Sequence, residues 1–213
     1  MSADHLQIKN IVSAGKNIQE AGRVLIMMHG RGATAESILS LAGQLRVNDF
    51  ALIAPQALNR TWYPYSFMAT PAQNEPALSA SLSRLKELLN QLNGQGISSK
   101  NIYFLGFSQG ASLILEFACR NATRYGGIVA FTGGQAGDQI YSENYTGNFD
   151  GTPVFLGTSD PDQHVPVIRV NETATILQKM NAAVTKKLYP YLGHTINSDE
   201  MDSANRLIFD PET

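Results

Sequence analysis

Apolar residues fall along this chain in short unbroken runs, and between the runs they recur at helical spacing. Residues 24–28 are apolar throughout, which reads as a central strand, and 50–54, 102–105, 127–132 and 153–157 follow suit as shorter or mixed runs. Leu6, Ile8, Ile11 and Val12 suggest a first strand, closed by Gly15-Lys16-Asn17, and residues 185–189 a last one. Between them, residues 35 to about 45 place Ile38, Leu41, Ala42 and Leu45 on one face of a helix that Thr34 can cap. Pro76 can open a longer helix whose Leu78, Leu82, Leu85, Leu89 and Leu92 form one stripe, stopped by Gly94. Helices are also predicted after Ser108, over 167–180 and over 199–209. Two stretches break the pattern. Residues 135–151 are polar and Gly/Asn-rich, a long loop, and residues 56–74 carry Trp62, Tyr63, Tyr65 and Phe67 without useful periodicity.

Strands alternating with helices predict an α/β fold with a mostly parallel central sheet and helices on both faces. At 213 residues the chain suits one domain, 1–213, and 43% hydrophobic content is enough for a sizeable core. A net charge of -2 gives no electrostatic reason to expect nucleic acid or an anionic membrane as partner. No apolar run approaches the ~18 residues of a membrane span, and residues 1–20 hold no signal-peptide core. The expectation is therefore a cytoplasmic protein. Cys119 is the single cysteine, which excludes an internal disulfide and suits a buried small side chain. No His, Cys, Asp and Glu cluster has metal-ligand spacing, so neither metal nor other cofactor is expected. Oligomeric state is not read from the chain, and a homodimer stays open.

The chemistry gathers at strand ends, where such sheets bind ligands. The run Ile102-Tyr103-Phe104-Leu105-Gly106-Phe107-Ser108-Gln109-Gly110 goes from buried strand to abrupt turn to helix. Gly-x-Ser-x-Gly in that setting is a nucleophile elbow, which lifts the Ser108 hydroxyl to the strand's carboxyl end. A Cβ at 106 or 110 would collide with the neighbouring strand or helix. A serine needs a base, an acid to orient the base, and donors for an oxyanion. In this fold the order along the chain is serine, acid, histidine. Of the four histidines, His5 lies in the N-terminal tail, His29 precedes the serine and His164 sits in the acid loop itself, which leaves His194 as the base. The acid is Asp160 or Asp162. Asp160 stands third after the strand-ending Gly157, whereas Asp162 is tied to the helix start at Val165-Pro166, which favours it. For the oxyanion, the elbow offers the Gln109 backbone N–H, and the loop His29-Gly30-Arg31-Gly32 offers that of Arg31. The aromatic segment reads either as a surface loop folded on its own rings or, the favoured reading, as a wall of the substrate pocket.

Taken together, the stretches 28–32, 61–63, 106–111, 157–166 and 193–194 resemble the phospholipase/carboxylesterase family of α/β-hydrolases, which includes acyl-protein thioesterases and bacterial carboxylesterases. The resemblance runs over nearly the whole chain, and Gly-Phe-Ser-Gln-Gly is its most specific part. It implies an α/β-hydrolase fold with no large lid. It also implies a serine carboxylesterase, with Ser108 as nucleophile, His194 as base, and Trp62 in the pocket wall. Small or short-chain acyl esters are the expected small-molecule substrates because the stretch around Trp62 is rich in Tyr and Pro rather than in long aliphatics. Tyr63, His29 and His164 are the further substrate-binding candidates. Ala33 stands where many relatives carry an aspartate, and the acid loop is about two residues longer than usual. Lysophospholipase or acyl-protein thioesterase activity is the alternative within the same chemistry. A hydrolase-fold binding protein without turnover is the alternative outside it.

Overall fold

The structure, a computed structural model, describes residues 10–209. Its strands are β1 (Ile11–Gly15), β2 (Arg23–Met28), β3 (Phe50–Pro55), β4 (Ile102–Phe107), β5 (Gly127–Phe131), β6 (Pro153–Asp160) and β7 (Ala183–Pro190). They form one sheet in the order β1-β3-β2-β4-β5-β6-β7. Only the β1–β3 pair is antiparallel; the other five pairings are parallel. The helices are α1 (Ile18–Ala21), α2 (Ala35–Leu39), α3 (Pro71–Asn74), α4 (Ala77–Gly94), α5 (Gln109–Arg120), α6 (Val167–Lys179) and α7 (Ser198–Ala204).

The uninterrupted apolar runs follow from having cover on both faces. Successive strand side chains point to opposite sides. Val24, Ile26 and Met28 therefore pack with the leucine stripe of α4 and with Leu113, Ile114 and Phe117 of α5. Leu25 and Met27 enter the other layer with Ala35 and Ile38 of α2 and Met201 and Ala204 of α7. A polar residue at any of these five positions would lose its water on either face. Among the described residues no helix is long and apolar enough to cross a membrane.

Some boundaries differ from expectation, each for a local reason. Leu6 and Ile8 lie outside the described residues, and β1 falls at Ile11–Gly15. The helix expected to run from 35 to 45 ends at Leu39 and tightens into a 3₁₀ turn, Ser40–Gln44, where Ser40 and Gly43 are poor helix formers. The last helix widens into a π-helical turn at Asn205–Phe209. Strand β6 runs three residues beyond Gly157, so Asp160 is the end of a strand rather than part of a loop.

The elbow is fixed where α5 starts against β2. Ser108 has φ 54° and ψ -120°, a left-handed conformation that costs energy in a residue with a Cβ. Its N–H donates to Phe131 O at 3.0 Å, tying the turn to β5. A Cβ at Gly106 would lie 2.6 Å from Ala111 N in the first turn of α5. One at Gly110 would lie 2.6 Å from His29 O and closer still to Met28 O, both backbone atoms that cannot swing aside. Gly110→Ala should therefore destabilise the fold by about 3 kcal/mol or more. Urea denaturation checks this, and an unchanged midpoint would contradict the packing just described.

Candidate active site

Loops after β4, β6 and β7 bring three side chains into a line. Ser108 Oγ is 2.8 Å from His194 Nε2. On the far side of the ring, His194 Nδ1 is 2.9 Å from Asp162 Oδ2 and 3.2 Å from Oδ1. The Asp162 carboxylate has no exposed surface, and Oδ1 also accepts the backbone N–H groups of His164 (2.7 Å) and Val165 (2.9 Å). Burial alone would raise its pKa; the His164 and Val165 amides and the His194 ring outweigh it and hold the group below the ordinary carboxylate value. A buried, ionised acceptor at Nδ1 fixes the imidazole with its proton there and leaves Nε2 free to accept from the serine.

Of the two candidate aspartates, the geometry joins Asp162 to His194. Asp160 is exposed, and its backbone carbonyl accepts the Tyr191 N–H at 3.0 Å. The histidine loop is braced by a residue the sequence reading did not single out. Ser159 is buried; its Oγ accepts the Gly193 N–H (2.9 Å) and donates to Pro161 O (3.0 Å), linking the acid loop to the histidine loop. A serine at a strand end gives no pattern from which that role could be read. His164 is exposed and packs edge-on against the His194 ring, with centroids 4.7 Å apart.

The backbone N–H groups of Arg31 and Gln109 have no protein acceptor among the described residues. Their side chains, by contrast, are committed to the aromatic segment. The Arg31 guanidinium donates to Thr61 Oγ1 (3.1 Å), Pro64 O (2.7 Å) and Tyr65 O. Gln109 Nε2 donates to Tyr63 O (2.8 Å), and Gln109 Oε1 accepts the Trp62 N–H (3.0 Å). Further carbonyls of the segment are taken by Gly32 N (Arg60 O), Ser81 Oγ (Trp62 O), Asn74 Nδ2 (Ser66 O) and Gly137 N (Phe67 O). A stretch with almost no regular structure is thus held carbonyl by carbonyl from four directions.

A cavity of about 370 Å³ opens over Ser108 and His194, lined by Arg31, Gln109, His164, Val165 and the wall from Pro64 to Phe67. The aromatic segment does line that cavity, but with two of its four rings. Trp62 and Tyr63 are buried at 4% and 1% exposure, with Trp62 Nε1 donating to His29 O at 2.8 Å. Tyr65 and Phe67 are the rings that face the cavity. His29 is likewise buried and does not line the cavity. Its Nε2 accepts the Ala57 N–H (3.2 Å), so the proton sits on Nδ1, bonded to Gly30 O (2.8 Å). Burial is the main cause that holds its pKa below the ordinary histidine value. Trp62, Tyr63 and His29 therefore support the loops from behind. Among the described residues no group of three or more His, Cys, Asp or Glu is arranged to hold a metal ion.

The family model described as Phospholipase/Carboxylesterase matches residues 7–209, and the chain belongs to that family of α/β-hydrolases, as an ester hydrolase. A crystal structure of a phospholipase/carboxylesterase from Dyadobacter fermentans is 49% identical, with a TM-score of 0.94 over 95% of this chain and 97% of that one. The protein named acyl-protein thioesterase 1 of Yarrowia lipolytica is 30% identical over 65% of this chain and 69% of its own length. A protein of Oryza sativa subsp. japonica named "Probable carboxylesterase" is 27% identical over 67% of this chain, which spans 60% of that protein's length.

Two predictions follow from the site's own contacts. Asp162→Asn keeps the shape but removes the charge and favours the wrong tautomer, so kcat on a p-nitrophenyl ester should fall by about 10⁴-fold; Asp160→Asn should change it less than about threefold. A reversed ranking would reassign the acid. The second concerns Glu200, which caps α7 behind the histidine loop by accepting the Asn197 N–H at 2.9 Å. Burial first, then the Asp199 charge, push its pKa from 4.5 up to about 7 against the Asn197 hydrogen bond. Between those values the folded state keeps a proton that the unfolded chain has released. The resulting stabilisation is full below the lower value and lost as pH rises through the upper one, on the order of 2 kcal/mol. Urea midpoints of Glu200→Gln should lack this fall between pH 5 and 8; identical pH profiles for the two proteins would contradict it.

Proposed function

We propose that this protein is a serine carboxylesterase that hydrolyses small, short-chain acyl esters through an acyl-enzyme. The observation that carries the reading is the continuous hydrogen-bond line from Ser108 through His194 to the buried Asp162 carboxylate. As Ser108 Oγ attacks the ester carbonyl carbon, His194 Nε2 takes its proton and Asp162 stabilises the imidazolium that forms. The carbonyl oxygen becomes an oxyanion, for which the free Arg31 and Gln109 amides are the donors. Collapse expels the alkoxide, which leaves as the alcohol with the proton from His194. Water then attacks the acyl group with His194 as base, releases the acid and restores the serine.

The preference for short chains rests on the wall. Each methylene gains ~0.8 kcal/mol only while apolar surface covers it. Pro64 to Phe67 close one side of the cavity, and their carbonyls are bound by Arg31, Asn74 and Gly137, so the wall does not yield to a longer chain. The second reading is lysophospholipase or acyl-protein thioesterase activity, the latter favoured by the name of the Yarrowia relative. The two readings part on chain length.

Ser108→Ala should reduce kcat by about 10³-fold or more without loss of fold, since the hydroxyl points out of the elbow. A variant that keeps half its activity would refute the mechanism. Across p-nitrophenyl esters, kcat/KM should peak at short acyl chains and fall for long ones, and Tyr65→Ala should move the optimum towards longer chains. Palmitoyl esters or thioesters cleaved much better than butyryl ones would replace the short-ester reading with the thioesterase one. Trp62→Ala, a change to a buried strut, should show itself as lost stability of about 3 kcal/mol.

A further inference from the structure

Arg31 is exposed on the loop after β2 and lines the cavity that holds Ser108 and His194. A guanidinium has five N–H donors. Three acceptors are bound to this one, Thr61 Oγ1, Pro64 O and Tyr65 O, and all three are uncharged. The Nε–H and one Nη2–H have no acceptor among the described residues. No carboxylate of the described residues forms an ion pair with it. Among the described residues the cavity lining contains no Asp or Glu, and the Asp162 carboxylate is covered behind the His194 ring. A guanidinium with no ion-pair partner among the described residues, held by three neutral acceptors, therefore stands in the lining of the cavity over Ser108.

From this we propose that the enzyme prefers esters whose acyl half carries a second, ionised carboxylate, that is, half-esters of dicarboxylic acids, with the Arg31 side chain as the recognising group. The proposal rests on the serine-esterase reading of the same site and names its substrate class. Three features support it. The planar donor fork of arginine matches a carboxylate better than any other side chain does. The bonds to Thr61, Pro64 and Tyr65 hold the guanidinium before substrate arrives, so little side-chain freedom is lost on binding. Phe67, Val165 and Pro64 give the cavity apolar walls, beside which the charge interaction is screened less than in open water.

The sheet order says which half of the ester carries the anion. The leaving oxygen must meet His194 Nε2 to receive its proton. His194 and Asp162 come from loops after β7 and β6, on one side of β4, whereas Arg31 comes from the loop after β2, on the other. The group near Arg31 is thus the acyl chain. Its far end, two or three carbons from the scissile carbonyl, is where the second carboxylate would lie.

The test needs only the wild-type protein and a pair of isosteric methyl esters followed in a pH-stat. Methyl hydrogen succinate carries a carboxylate where methyl 4-methylpentanoate carries an isopropyl group. The anionic ester should be hydrolysed with a kcat/KM roughly 10- to 100-fold higher, the worth of a charge-assisted hydrogen-bond pair. Most of that gain should be in KM, and it should shrink as salt is raised. Arg31→Gln should bring the ratio of the two esters close to one, and Arg31→Lys should keep part of it. The ratio is the readout because either substitution also loosens the wall, which affects both esters. Equal rates, or a preference for the neutral ester in the wild type, would overturn the proposal. Better hydrolysis of butyrylglycolate, whose anion is on the alcohol side, would overturn the placement. Hydrolysis of neither methyl ester nor of p-nitrophenyl acetate would defeat the esterase reading itself, which separates the two failures.

Discussion

The strained turn at Ser108 is the constraint on which the site depends. A serine at φ 54° is held there because the elbow is pressed between two parallel strands and the first turn of α5. Gly110 lets that turn come down onto the last carbonyls of β2, and the Ser108 N–H is anchored on β5. The same contact that strains the serine also sets the oxyanion loop, because Met28 and His29, which Gly110 touches, lead directly into Gly30 and Arg31. The proposed nucleophile and the proposed oxyanion donors are positioned by one packing event, and the strain is offset by the two-faced burial of the sheet around it.

A second layer of order is built on the first. Arg31 and Gln109 each carry a backbone amide with no acceptor among the described residues and a side chain bound to the aromatic segment. The part of the chain proposed to stabilise charge is therefore the part that fixes the size of the pocket. Backbone groups in an irregular segment need acceptors and donors as much as those in a sheet. Here the carbonyls of residues 62–66 are taken by side chains from β2's loop, α3, α4 and α5, and those of Arg60 and Phe67 by the backbone N–H groups of Gly32 and Gly137, which is why a loop can serve as a wall.

Much of this was legible in the sequence, and the exceptions have physical causes. The doubly wound sheet followed from apolar runs that only two-sided burial explains, and the elbow from two glycines whose replacement would meet backbone. Asp160 and Asp162 were not separable by spacing because β6 continues past Gly157, a matter of strand length that residue types do not encode. Trp62 was read as pocket wall because aromatic residues near a strand end suit one. Its indole N–H instead found the His29 carbonyl, and burial of both followed. His29 was a candidate by its neighbours alone, whereas its ring nitrogens are spent on Gly30 and Ala57. Ser159 and Asn74 carry hydrogen bonds that hold the site together and leave no trace in a linear pattern.

The central claim is that Ser108 becomes covalently acylated during turnover. Rapid-quench mass spectrometry of the protein during hydrolysis of a butyryl ester tests it most directly. The account predicts one butyryl adduct per chain, mapped to the peptide containing Ser108, formed in the wild type and absent from Ser108→Ala. An adduct on another residue, one that survives in Ser108→Ala, would contradict it.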